Sequence, residues 1–454
     1  MTPLTFGTDG IRGVANRDLT PELALALGRA AVAVLGPGPW VVGSDTRRSG
    51  PMLVAALAAG LASAGADVVD LGVAPTPAVA FHAARTGGPA AIVSASHNPY
   101  ADNGIKLLGA GGRKLSEARE AAVSENMAAA LSAPAAASDA GAGGPAHPPV
   151  GTISRAEGPL DAYADHVVAA LEGRSLGGLR VVVDCANGAA SEVAPAVLRS
   201  LGADVTVLAA SPDGTNINAG CGSTHPAALQ EAVVAAGADA GLALDGDADR
   251  VVAAGGDGTL VDGDRIIAVA AADLQRRGRL AGDRVVVTVM SNLGLRQALA
   301  GLGIGVVETP VGDRNVLAAM EEAGLVLGGE QSGHVIFRDL ATTGDGLLTG
   351  VVLLDIVARS GRSLADLAGA AMTALPQVLV NVAVPSPSAA VQAPAVAAVM
   401  AEVEAELGGS GRVVLRPSGT EPLVRVMVEA PTETEARSAA DRISAAVRRA
   451  DAPA

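Results

Sequence analysis

The sequence predicts three related α/β domains followed by a smaller α+β domain, and three observations carry that expectation. A plan of strand, turn, helix, glycine and second strand occurs three times, and it changes after about residue 370. Of the residues, 49% are hydrophobic but only 1% aromatic, with 57 glycines. A core of Ala, Val, Leu and Ile with many tight turns suits a sheet-and-helix protein rather than a disordered chain. At 454 residues the chain is too long for one core, and a prior of about 150 residues per domain gives three or four domains.

Taken in order, Thr20-Pro21-Glu22 reads as the cap of a helix running towards Gly36. The first copy of the plan runs from Val41-Val42-Gly43-Ser44-Asp45 to Gly65-Ala66-Asp67-Val68-Val69. The second runs from Val181-Val182-Val183-Asp184 to Gly202-Ala203-Asp204-Val205, and the third from Val285-Val286-Val287-Thr288 to Gly303-Ile304-Gly305-Val306. Near-continuous valine marks strands buried on both faces of a parallel sheet. Between Ala128 and Gly151 the chain is almost only Ala, Ser, Gly and Pro, which predicts a mobile loop closing the first domain. Beyond residue 370, Gln377 to Val384, Arg412 to Leu415 and Leu423 to Glu429 read as strands. The last helix opens at Thr432 with Glu435 three positions on, a capping box. The expected domain bounds are 1–154, 155–253, 254–369 and 370–454.

A net charge of -15 argues against nucleic acid, whose phosphates attract basic stripes. Any phosphate must be met locally, by a few arginines, backbone amides or a metal. The two cysteines, Cys185 and Cys221, are too few for a disulfide framework or a zinc site. With no leader before the first motif and no apolar run near about 18 residues, a cytoplasmic protein without a membrane partner is expected.

The apolar run from Pro89 to Val93 leads into Ser94-Ala95-Ser96-His97-Asn98-Pro99. Such a strand and Ser-rich turn would present one hydroxyl at the carboxyl edge of a sheet, where α/β proteins place their chemistry. Pro99 keeps Asn98 out of the helical region and enforces the turn.

Asp245-Gly246-Asp247-Ala248-Asp249-Arg250 follows the strand-like Ala240 to Leu244. Three alternate carboxylates repel one another unless a cation sits among them, and an all-oxygen set suits magnesium. An EF-hand would need glycine in place of Arg250 and glutamate in place of Gly256. An aspartyl-phosphate phosphatase, with Asp245 as nucleophile and Asp247 as acid/base, and a solvated acidic turn without metal both stay open.

Arg416-Pro417-Ser418-Gly419-Thr420-Glu421-Pro422, leading to Arg425, combines guanidinium, hydroxyls and glycine-exposed amides in an anion cradle. Gly328-Gly329-Glu330-Gln331-Ser332-Gly333-His334 suits a polyhydroxylated ligand, since Glu330 can accept from two adjacent hydroxyls. Gly7-Thr8-Asp9-Gly10-Ile11-Arg12-Gly13 and Asp102-Asn103-Gly104-Ile105-Lys106 each place a cation beyond a glycine turn. Asp313-Arg314 and Thr342-Thr343-Gly344-Asp345-Gly346 read mostly as caps.

In this order the segments resemble the α-D-phosphohexomutase family over nearly the whole chain, and within it most the bacterial phosphoglucosamine mutases. Phe6 to Asn16, Gln331 and Asn218-Ala219-Gly220-Cys221-Gly222-Ser223-Thr224-His225 point to the latter. The resemblance implies three α/β domains with mixed sheets and a smaller C-terminal domain, arranged around a central cleft. It implies that Ser96 is the phosphoserine carrying the phosphoryl group. Asp245, Asp247 and Asp249, with a phosphate oxygen on Ser96, would bind magnesium. Glu330 and Ser332 would hold sugar hydroxyls. Arg416, Ser418, Gly419, Thr420 and Arg425 would hold the phosphate that is not reacting.

On that basis phospho-Ser96 donates to O1 of glucosamine 6-phosphate, the 1,6-bisphosphate turns over, and its other phosphate returns to Ser96. Arg250, Lys106 and Arg12 would join the metal in offsetting the charge. Lys106, Arg12 and His334 are the candidate bases, with His97 shaping the nucleophile loop. A terminal domain that opens for reorientation, and a homodimer, are further expectations. The scheme requires the Ser96 hydroxyl within about 8 Å of the acid trio. A phosphomannomutase/phosphoglucomutase and a non-enzymatic sugar-phosphate sensor remain the alternatives.

Overall fold

The computed structural model describes residues 10–132, 150–418 and 422–450. Its first sheet gathers β1 (Ile11–Val14), β2 (Trp40–Ser44), β3 (Val68–Val73), β4 (Ala90–Val93), β5 (Asp102–Gly109), β6 (Arg113–Lys114) and β7 (Ile153–Arg155). They lie in the order β1-β5-β4-β2-β3-β7, with β6 against β5. Helices α1 (Pro21–Leu35), α2 (Gly50–Ser63), α3 (Thr76–Thr86) and α4 (Glu117–Ser132) alternate with the strands. Thr20 caps α1 by accepting from the Leu23 amide, and Gly36 closes it in a positive-φ conformation. Close packing of α1 on α2 needs glycine on both: a Cβ on Gly60 would lie 2.2 Å from the Leu25 carbonyl oxygen, and one on Gly28 2.6 Å from that of Leu57.

The second sheet holds β8 (Arg180–Asp184), β9 (Asp204–Leu208), β10 (Ala240–Leu244), β11 (Val251–Gly255) and β12 (Leu260–Val261). It runs in the order β12-β11-β10-β8-β9, with α5 (Asp161–Ala169), α6 (Val193–Ser200) and α7 (Ala227–Ala236). The third holds β13 (Arg284–Thr288), β14 (Gly305–Thr309), β15 (Leu327–Gly329) and β16 (Val335–Phe337) in the order β14-β13-β15-β16. Its helices are α8 (Gly263–Arg276), α9 (Leu293–Gly301), α10 (Asp313–Ala323), α11 (Gly346–Ser360) and α12 (Leu364–Ala371).

These sheets share one topology. Strand orders β3-β2-β4-β5, β9-β8-β10-β11 and β14-β13-β15-β16 are equivalent: three parallel strands, then a fourth antiparallel to the third. A parallel neighbour needs a crossover helix, whereas an antiparallel one needs only a short loop. That loop therefore sits at the carboxyl edge of the third strand, and it carries Ser96, then Asp245 to Arg250, then Glu330 to His334. Three motifs far apart in sequence occupy the same topological place.

The fourth unit is α+β. Strands β17 (Gln377–Ala383), β18 (Arg412–Pro417) and β19 (Leu423–Glu429) form an antiparallel sheet in the order β17-β19-β18. It is covered by α13 (Pro387–Gln392), α14 (Pro394–Leu407) and α15 (Glu433–Ala450).

Three expectations are corrected. Ala128 to Ser132 is not loop but the last turn of α4, because alanine is the strongest helix former; 133–149 lie outside the described residues, and the Gly151 amide is bonded to the Ala62 carbonyl. The expected bounds at 154, 253 and 369 fall inside β7, β11 and α12, since strand pairing carries the first sheet to Arg155 and the second to Val261. The second and third units also share one hydrophobic core, from Tyr163 through Ile267 and Leu348 to Met372, rather than packing separate ones.

Candidate active site

The Ser96 loop starts where β4 ends. Ser96 is 1% exposed and adopts φ +51°, the left-handed region that costs a non-glycine residue about 1–2 kcal/mol. The surroundings over-determine it. Its amide donates to Ser94 Oγ at 2.9 Å, and Ser94 Oγ donates to Asp45 Oδ2 at 2.6 Å. Asp45 pairs with Arg47 at 2.9 Å, both side chains wholly buried. The Arg47 guanidinium donates to the carbonyls of Ser96 (3.0 Å), Asn98 (2.8 Å), Asp102 (3.0 Å) and Pro99, so one buried cation holds the loop from beneath.

Across the domain boundary, Ser96 Oγ donates to Asp245 Oδ2 at 2.6 Å, well inside the required reach. Asp245, Asp247 and Asp249 are buried, and each offers a carboxylate oxygen within 4.8 Å of the others. Burial opposes ionisation of all three. In Asp245 it prevails, reinforced by Asp249 and Asp247, and pushes the carboxyl well above its usual range. At Asp247 burial and Asp249 are outweighed by Lys106 and the Thr76 hydroxyl, and at Asp249 burial is outweighed by Lys106 and His334. Lys106 Nζ lies 3.0 Å from Asp247 Oδ2 and 3.6 Å from Asp249 Oδ2, and Thr76 Oγ1 donates to Asp247 Oδ2 at 2.7 Å.

The donor set fits a hard divalent cation. Asp247 Oδ1 and Asp249 Oδ1 are buried without a hydrogen-bond partner, while their sister oxygens face cations and a hydroxyl. Two buried oxygens without partners, beside a third carboxylate within 4.8 Å, are what such an ion relieves.

Arg250 closes the loop. Its amide donates to Asp245 Oδ1 at 3.1 Å and its Nε lies 3.7 Å from Asp249 Oδ1. His97 Nδ1 stands 3.3 Å from Ser96 Oγ; burial, then Arg250 and Arg12, hold its pKa down. Arg12 sits on β1 opposite Gly104, beside the same histidine.

His334, the third candidate base, lies against the acid trio. It is 2% exposed, its Nε2 accepts from the Gly344 amide at 3.1 Å, and its Nδ1 faces Asp249 at 3.7 Å. The ring therefore supports Asp249 from behind. Glu330 Oε1 accepts from the Gly312 amide at 3.0 Å, and Ser332 Oγ approaches Glu330 at 3.5 Å. Asp345 caps α11 by accepting from the Leu348 amide and receives the Tyr163 hydroxyl at 2.9 Å.

Arg416 and Arg425 face each other across β18 and β19. Burial, then Arg425, lowers the Arg416 pKa, a like-charge pairing that an anion would relieve. Ser418 joins the hairpin through its amide to the Leu423 carbonyl at 2.9 Å. Gly419, Thr420 and Glu421, with Gly7, Thr8 and Asp9, lie outside the described residues.

Sequence reasoning assigned no role to Asp45, Arg47, Thr76 or Asn218. For Asp45 and Arg47 a signal existed: Asp45-Thr46-Arg47 follows a buried valine strand at its carboxyl edge, as the Ser96 loop does. Thr76 reads as an ordinary helix start, and nothing local reveals its partner.

Four matches to described families cover the chain. Residues 3–133, 161–258 and 262–375 match phosphoglucomutase/phosphomannomutase alpha/beta/alpha domains I, II and III, and 379–446 the C-terminal domain. The phosphoglucosamine mutase of Salinispora arenicola is 54% identical over 456 residues, and that of Frankia alni 55% over 458, each spanning 98% of both chains. A phosphoglucomutase/phosphomannomutase family protein from Burkholderia thailandensis superposes with a TM-score of 0.79 at 28% identity, over 98% of this chain and 97% of that one. The Aspergillus fumigatus N-acetylphosphoglucosamine mutase, solved with GlcNAc-6P and magnesium, shares the fold at 21% identity with a TM-score of 0.70, over 99% of this chain and 96% of that one.

Proposed function

Because the chain belongs to the phosphoglucomutase/phosphomannomutase family of isomerase-type phosphotransferases, we propose that it interconverts glucosamine 6-phosphate and glucosamine 1-phosphate. Ser96 is the phosphoryl carrier in this reading, and glucosamine 1,6-bisphosphate the intermediate. The observation that carries it is the Ser96 hydroxyl 2.6 Å from Asp245, within an acid trio supplied by a different domain. Full-length identity near 54% to proteins named phosphoglucosamine mutase supports the amino sugar.

Phosphoryl transfer needs in-line placement and neutralisation of charge more than covalent chemistry. Asp245, Asp247 and Asp249 are the residues that would hold magnesium, which supplies charge compensation on the phosphoryl oxygens. Arg250 adds fixed positive charge at the same place, and Lys106 does so while protonated. In the forward direction the Ser96 Oγ–phosphorus bond breaks as the sugar O1–phosphorus bond forms. The second transfer, from O6 of the turned bisphosphate, re-forms phosphoserine and displaces the Ser96 proton, for which His97 Nδ1, 3.3 Å from Ser96 Oγ, is the acceptor in this reading. Of the three candidate bases, the Arg12 guanidinium stays protonated and cannot take the sugar hydroxyl's proton, which leaves His334, or Lys106 in its neutral form. Glu330 and Ser332 receive sugar hydroxyls, and Arg416, Ser418, Gly419, Thr420 and Arg425 the distal phosphate. The proposal keeps a cytoplasmic location and a homodimer; no described helix is long and apolar enough to cross a membrane.

Side-by-side rates on glucosamine, glucose and mannose 6-phosphates test the substrate, with glucosamine expected to give the highest kcat/KM. Ser96→Ala should lower turnover by about a thousandfold or more, and the phosphoenzyme should survive hydroxylamine. A variant that keeps its turnover, or a label that hydroxylamine removes, rejects the phosphoserine route.

A further inference from the structure

The Asn218 motif has no part in the chemistry above, yet it reaches the nucleophile. Asn218 lies in the loop after β9, in the second domain, with φ +57° and its amide bonded to the Ala186 carbonyl at 2.9 Å. Its Nδ2 donates to the carbonyls of Ser96 at 2.9 Å and Asn98 at 3.3 Å. These are two of the carbonyls that Arg47 grips from the first domain, at 3.0 and 2.8 Å. Neighbouring ties follow the same seam: Thr46 Oγ1 donates to the Asn187 carbonyl at 2.6 Å, and the Arg48 amide to that of Gly214 at 2.8 Å. The fit is close on the third side too, since a Cβ on Gly246 would stand 2.7 Å from the Ser96 carbonyl oxygen and 2.8 Å from Asn218 Nδ2.

We propose that Asn218 is a positioning residue for phosphoryl transfer: by sharing the Ser96 and Asn98 carbonyls with Arg47, it sets the reach of Ser96 across the domain boundary to Asp245. Its side-chain donor is spent on these two carbonyls. Arg47 shapes the loop from within its own domain, whereas Asn218 ties the same two carbonyls directly to the metal-bearing domain. Transfer is sensitive to such registration, because misplacing reacting groups by about 1 Å can cost 100-fold. Substrate binding, which involves other loops, should be spared.

This inference rests on the mutase reading, and its test separates the two. Asn218→Asp keeps the shape and tolerates the left-handed backbone but turns an acceptor towards two carbonyls. Asn218→Gly removes the amide without backbone strain. Full-length dephosphorylated enzyme is given glucosamine 1,6-bisphosphate in a single turnover, phosphate on Ser96 is followed by intact mass, and steady-state rates are taken alongside. Both variants should lose roughly 10- to 100-fold in transfer rate and kcat, with KM within about twofold of wild type and the thermal transition retained. A Gly variant that transfers at the wild-type rate overturns the inference, even if the Asp variant is slow, because the added charge would then be the cause. A raised KM with unchanged kcat, or loss of the folded transition in both variants, overturns it as well. If only the Asp variant fails to fold, the Gly variant decides. Wild type that takes no phosphate on Ser96 sinks the mutase reading instead.

Discussion

Asp264 is a buried carboxyl at the start of α8, outside the catalytic cluster. Its Oδ2 accepts from the Asn292 amide at 2.7 Å, and Oδ1 has no hydrogen-bond partner. Burial pushes its pKa up to about 7, with Asp262 and Glu429 adding to the rise against the Asn292 bond. Because the folded value lies above the ordinary 3.8, the folded state holds a proton that the unfolded chain releases. The stability associated with that proton is present below about pH 4 and is lost as pH rises towards 7, at about 1.4 kcal/mol per unit. Asp264→Asn should therefore gain on wild type across this window and level off above it. Thermal melts of both proteins at pH 5 and pH 8 check this, and an equal gap at the two values refutes it.

At the scale of the element, α15 shows local chemistry and packing in agreement. Thr432 Oγ1 accepts from the Glu435 amide at 3.2 Å, while Glu435 Oε2 accepts from the Thr432 amide at 3.1 Å, so both orphan donors are met. Behind the cap, Ala436, Ala439, Ala440, Ile443, Ala446 and Val447 repeat at helical spacing and are buried in the terminal core. Thr432→Ala should cost about 0.5–2 kcal/mol. Hydrogen exchange of the first-turn α15 amides in the full chain should then quicken by roughly 2- to 30-fold, and unchanged exchange would remove the cap from the account.

Across the whole molecule, the junctions differ in kind. The second and third units share apolar core, whereas the terminal unit is pinned to the third by polar groups. Glu429, wholly buried, pairs with Arg412 at 2.6 Å and accepts from the Leu293 amide at 2.9 Å and Gln377 Nε2 at 2.8 Å. Arg412 donates across the junction to the Val289 carbonyl at 3.0 Å and to that of Ser291. A polar hinge can open without exposing apolar area, so the terminal unit is the one expected to swing. Glu429→Gln leaves Arg412 without its carboxylate, a loss of about 3–5 kcal/mol for a buried pair. Small-angle scattering should show the variant more extended than wild type without bisphosphate, and superimposable profiles would argue against this hinge.

The sequence by itself determined the thrice-repeated sheets, the capped helices, the Ser96 turn and the acid trio, because periodicity, turn chemistry and charge repulsion act within a few residues. It misjudged the end of α4, where an alanine run among small residues reads as loop although alanine favours helix. Only the tertiary structure decided that three equivalent loops meet, that Thr76 serves Asp247, and that Arg47 and Asn218 share two carbonyls. Thr76 and Asp247 are 171 residues apart, and Asn218 and Ser96 122. Such pairings leave no local pattern, because they arise when segments distant in sequence pack together and their buried polar groups must find partners.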